Sequence, residues 1–164
     1  MSPTEVAHAV RLRLAAEVRQ DLGAIERRAA SVASLRTVPG ELPREAVVRS
    51  LALAFELERI YTAIESLFTR VLQTLDGDVP AGHNWHAELL RAASVEVAGV
   101  RPALVSRECS AELRDLLGFR HVARHAYDVE PDGVRLEVLA ERVARILPEL
   151  RASLTTLVEE LSRT

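Results

Sequence analysis

Leu51-Ala52-Leu53-Ala54-Phe55-Glu56-Leu57-Glu58-Arg59-Ile60-Tyr61-Thr62-Ala63-Ile64-Glu65-Ser66-Leu67-Phe68 returns its large apolar side chains every three or four residues, the period of one face of an α-helix. The period continues on both sides. It predicts a helix from about Arg44 to Leu75 with Val47, Leu51, Ala54, Phe55, Glu58, Tyr61, Glu65, Phe68 and Leu72 on one side. Leu57, Ile60, Ile64, Leu67 and Val71 widen the apolar surface, which marks this helix as the central one. Two acids fall within or beside the stripe. Both are read as edging the stripe and reaching solvent, with a second reading of Glu65 taken up below.

Outward from this segment the chain reads as helices joined by breakers. Ser2-Pro3-Thr4-Glu5 supplies a hydroxyl cap and a first-turn proline. Val6, Val10, Leu14, Val18, Leu22, Ile25, Ala29 and Val32 then form a stripe on a helix expected from Thr4 to Ser34. Val38-Pro39-Gly40-Glu41-Leu42-Pro43 ends it. After the turn-rich Asp76 to Gly82, a short helix is expected from Asn84 to Ala93, then a loop with a short helix over Val95 to Pro102. Ser110 is expected to cap a helix from Ala111 to Arg124, with Leu113, Leu116, Leu117 and Val122 inward and Gly118 permitting close packing. Asp132 should cap the last helix, Val134 to Ser162, whose stripe is Leu139, Val143, Ile146, Leu150, Leu154, Leu157 and Leu161; Pro148 should bend it. The prediction is all-α: one domain over residues 1–164, an antiparallel bundle of four principal helices plus a short one.

Composition agrees. The chain has 164 residues, 48% hydrophobic, with only 7 Gly and 7 Pro, enough to bury one core and biased toward helix. Net charge is −3, so no protein-wide positive field attracts nucleic acid, and any RNA contact needs a local cluster or a groove between subunits. All 21 basic residues are arginine, which genome composition explains as readily as phosphate binding. Cys109 stands alone, which excludes a disulfide framework or a cysteine metal site and fits a reducing compartment. No leader or membrane-spanning run is read, so a cytoplasmic protein without a membrane partner is expected.

Chemistry concentrates in Phe119-Arg120-His121-Val122-Ala123-Arg124-His125-Ala126-Tyr127. On a helix Arg120 and Arg124 share a face at i and i+4, and His121 and His125 form the neighbouring stripe. Arginine grips phosphate with two hydrogen bonds and histidine exchanges protons near neutral pH, a pairing suited to a phosphodiester. Two plainer readings compete: cations complementing a helix C-terminus, and interfacial ion pairs with Glu65, Glu56 or Asp115. The His121 and His125 spacing could chelate zinc, but the glutamate of His-Glu-x-x-His and a third ligand are missing, so neither metal nor cofactor is expected. No phosphate-binding glycine loop or nucleophile elbow occurs.

Arg120, four intervening residues, His125, one residue and Tyr127 resemble the Arg-x4-His-x-Tyr signature of HepT toxins in the HEPN superfamily. Glu56 to Phe68 resembles the family's second helix, and Val79-Pro80-Ala81-Gly82 leading to Trp85-His86 and Glu88-Leu89-Leu90 resembles a segment of a HepT-like subgroup. The likeness spans roughly residues 44 to 135. The chain departs from many members in placing His121 after the motif arginine and Arg124 before the histidine.

This resemblance implies a dimeric, metal-independent ribonuclease toxin paired with a nucleotidyltransferase antitoxin of MntA type, which silences the toxin by adding AMP to the signature tyrosine, here Tyr127. It also implies that Glu65 faces the motif arginine. In such an enzyme His125 is the general acid or base and Arg120 stabilises the phosphorane-like transition state, with His121 or Arg124 orienting phosphate. The alternative is a catalytically silent HEPN module that binds a nucleotide or serves as an accessory subunit of a nucleotidyltransferase.

Overall fold

The computed structural model describes residues 2–38, 42–125 and 132–163, with the side chains of 120–125 outside the description. Five helices follow in order: α1 Pro3–Thr37, α2 Pro43–Leu75, α3 Trp85–Ala93, α4 Arg107–His125 and α5 Gly133–Ser162. The chain is an all-α bundle, and no strand occurs among the described residues.

Local chemistry sets the helix ends. Ser2 Oγ accepts from the Glu5 amide while the Glu5 carboxylate accepts from the Ser2 amide at 2.5 Å, a reciprocal cap. Those bonds stabilise the charged form and hold the Glu5 carboxyl below its usual range. Asp132 accepts from the Val134 and Arg135 amides at the start of α5.

The start of α4 differs from expectation. It begins at Arg107, and Ser106 Oγ accepts from the Cys109 amide at 3.0 Å. Ser110 lies inside the helix, buried, donating to the Leu90 carbonyl at 3.2 Å. Ser110 makes this buried tie to α3, and the cap falls to Ser106, one turn earlier.

The short helix expected within Val95 to Pro102 is absent. The segment forms a tight turn in which Val97 pairs with Arg101 and Gly99 takes φ +75°. Arg101 fills its interior, only 4% exposed. Its guanidinium donates twice to the Asp76 carboxylate at 2.8 Å and also to the carbonyls of Ala92, Val95 and Pro102. A charge buried with these partners organises a turn that hydrophobic periodicity does not encode.

Helix α2 packs against all four others, the centrality its double stripe predicts. One hydrophobic cluster draws buried residues from every helix. The line Leu53, Leu57, Ile60, Ile64, Leu67 and Val71 is fully buried, whereas Tyr61, Glu65, Phe68 and Leu72 are buried only along the C-terminal half of their line. Toward the N-terminus Leu51 and Phe55 of that second line, expected on the inward side, face solvent together with Val48. Burial of the second line therefore starts partway along α2.

Helices α1 and α5 pack over most of their lengths. The α5 stripe from Leu139 to Leu161 is buried as expected, and α5 continues through Pro148, which has no amide to return to the Ala144 carbonyl. Among the described residues nothing lies within 4 Å of a Cβ built on Gly118, so close packing does not explain that glycine. No helix among the described residues is long and apolar enough to cross a membrane.

Candidate functional site

Glu65 is 7% exposed and sits in the buried half of α2. Its Oε2 lies 2.6 Å from Nδ1 of His86, the second residue of α3. An ionised carboxylate can only accept, so the imidazole donates to it from Nδ1 and turns Nε2 away from Glu65. The Trp85 ring stacks on the His86 ring with centroids 3.7 Å apart. The solvent-reaching edge position read for Glu65 is not the one it takes. Glu58, expected at the edge, is half-buried and accepts from Thr62 Oγ1 at 3.3 Å.

Helix α4 carries the motif toward this pair. Arg101, just ahead of α4, binds Asp76 at the C-terminal end of α2, and Gly133, just after it, lies beside Ser50 near the start of α2. These contacts set α4 antiparallel to α2. His86 beside Glu65, and Arg101 bridging Ala92 and Asp76, set α3 parallel to α2. Ser110 lies against Leu90, and the ten residues from there to Arg120 climb about 15 Å at ~1.5 Å each. Leu90 stands about 6 Å beyond His86 toward the C-terminal end of α2, so this climb carries the Arg120 backbone about 9 Å past Glu65, near Arg59, and that of His125 about a turn and a half further, near Ala54.

Arg120, His121, Arg124 and His125 all lie within α4. Their side chains are outside the described ones, and Tyr127 lies outside the described residues altogether. Two of the acids that could have engaged the motif arginines in structural ion pairs have other partners: Glu56 binds Arg28 at 3.1 Å and Asp115 binds Arg142 at 2.7 Å.

Other chemistry is limited. Burial pushes the Cys109 thiol up to about 12, with the Glu149 and Glu112 carboxylates adding to the shift. Among the described residues no group of three His, Cys, Asp or Glu side chains could hold a metal.

Sequence reasoning noticed Trp85-His86 as part of a segment but gave His86 no role. The available signal was a histidine in the first turn of a short helix whose apolar residues, Leu89, Leu90 and Ala93, all face the core. Its partner stands 21 positions away, a pairing that helical periodicity cannot reveal.

No curated protein and no solved structure matches the chain. The family described as HepT-like protein matches residues 52–161, which takes in the Glu65 and His86 pair and all of α4. With its all-helical bundle and with Arg120 and His125 carried on one helix, the chain belongs to the HepT-like family of the HEPN superfamily.

Proposed function

We propose that this protein is a metal-independent endoribonuclease, the toxin of a toxin–antitoxin pair. The observation that carries the reading is that Arg120 and His125 lie, within a HepT-like bundle, on the helix that runs past the buried Glu65 and its half-buried partner His86. His125 serves as general base or acid in attack of the ribose 2′-hydroxyl on the adjacent phosphorus, and Arg120 balances charge on the pentacoordinate phosphate. His121 or Arg124 orients the phosphate, and Glu65 supports the arginine side of the site. The products are a 2′,3′-cyclic phosphate and a 5′-hydroxyl. DNA lacks the nucleophile and stays intact.

Two protomers bring their motifs together, which would build a positive cleft on a chain of net charge −3. A nucleotidyltransferase of MntA type is the proposed antitoxin. It adds AMP to Tyr127, placing bulk and negative charge where an RNA phosphate would sit.

Expression in a bacterial host, paired with cleavage assays on purified protein, tests the reading. Wild type should arrest growth and cut RNA in the presence of EDTA, leaving cyclic phosphate ends. Arg120→Ala and His125→Ala should lower cleavage by at least about 100-fold with helical content unchanged. Wild-type protein that cuts no RNA, or an His125→Ala variant at wild-type rate, would overturn it.

A further inference from the structure

Cleavage through the 2′-hydroxyl needs two proton transfers. A base takes the 2′-hydroxyl proton as the O2′–P bond forms, and an acid gives a proton to the 5′-oxygen as the P–O5′ bond breaks. His125 fills only one of these roles at a time.

We infer that His86 is the second proton-transfer residue of this site, with Glu65 the positioning residue that fixes Nε2 as its reacting nitrogen; this rests on the ribonuclease reading. The Glu65 carboxylate holds Nδ1 at 2.6 Å, the Trp85 ring restrains the imidazole plane, and the His86 side chain keeps 29% of its surface open. His86 stands beside Glu65, about 9 Å along the bundle from the level of the Arg120 backbone on the neighbouring helix. Packed helices lie roughly 8–10 Å apart, and with that offset an arginine and a histidine side chain still reach one phosphate held between them.

A purely structural tie is the competing account. Helix α3 has other anchors: Leu89, Leu90 and Ala93 are buried, the Leu90 carbonyl accepts from Ser110, and the Ala92 carbonyl accepts from Arg101. Burying a carboxylate carries a desolvation cost that an apolar residue at position 65 would avoid, so the pair is poorly explained as added stability.

The test is the pH dependence of kcat for RNA cleavage, measured for wild type, His86→Ala, His86→Asn, His121→Ala and Glu65→Gln. Asparagine can still donate to Glu65 but has no nitrogen in place of Nε2, so it separates the proton role from the structural tie. Wild type should give a bell-shaped profile. Both His86 variants should lose about 100-fold or more in kcat and one limb of the bell. Added imidazole should restore part of the rate to His86→Ala, and Glu65→Gln should lose less while displacing the same limb. His86→Asn at wild-type rate, or loss of that limb in His121→Ala instead, overturns the inference and leaves the ribonuclease reading standing. Wild type that cuts no RNA overturns both.

Discussion

A thiol pushed up to about 12 stays protonated at neutral pH, so Cys109 contributes volume to the core and no nucleophile. Among the described side chains that leaves buried Glu65 and half-buried His86 as a polar pair on the helices packed against α4. Tyr127, two residues beyond His125, has a phenol that an adenylyl donor could modify. With the partner nucleotidyltransferase and ATP, a peptide containing Tyr127 should gain mass in units of AMP, and RNA cleavage should fall. Tyr127→Phe should cut RNA at close to the wild-type rate, gain no mass at that peptide and escape silencing. Intact-protein and peptide mass spectrometry decides the matter: neutralised wild type without added mass would make the antitoxin a binder and return Tyr127 to a structural role.

At the scale of elements, Arg101 shows how one side chain can specify a segment that no pattern announces. Its guanidinium satisfies Asp76 and three carbonyls between the end of α2 and the start of α4, so it fixes where α4 begins its run toward the site. Arg101→Met would leave the Asp76 carboxylate and those carbonyls without their donor. The expected loss is about 3–5 kcal/mol in urea unfolding. Arg101→Lys should lose less, because it keeps the charge but not the fork. A loss below ~1 kcal/mol for Arg101→Met would mean water replaces the fork freely. The helices themselves were legible because apolar spacing and caps act locally: the α5 stripe and the ends at Ser2 and Asp132 are where their residues place them. The Val95 to Pro102 turn was not legible, since its organiser pairs with a residue 25 positions away. The candidate site divides in the same way. Arg120 and His125 announce themselves within six residues, but His86 acquires meaning only when α3 folds onto α2.

For the whole molecule, the unresolved question posed by α2 is why its N-terminal half turns apolar residues outward. Leu42, Val48, Leu51 and Phe55 are each more than half exposed and follow one another along the helix and its entry, more apolar surface than a solvated helix face needs. Glu45 lies toward one end of this stripe, and Arg59, over the Phe55 ring, toward the other. Two copies of α2 crossing antiparallel about a twofold axis would set Phe55 near Val48 of the other copy and Glu45 near Arg59, which makes the face complementary to itself. The stripe also runs toward the level that His125 reaches on α4, so pairing there would bring two motifs toward one cleft. Light scattering at micromolar concentration should return the mass of two chains. Phe55→Glu and Leu51→Glu should each give one chain with unchanged thermal stability, since both positions are exposed, and lower cleavage by at least about tenfold because the composite site is lost. Wild type that is monomeric while cutting RNA, or a monomeric Phe55→Glu variant that keeps full activity, would show that each protomer holds a complete site.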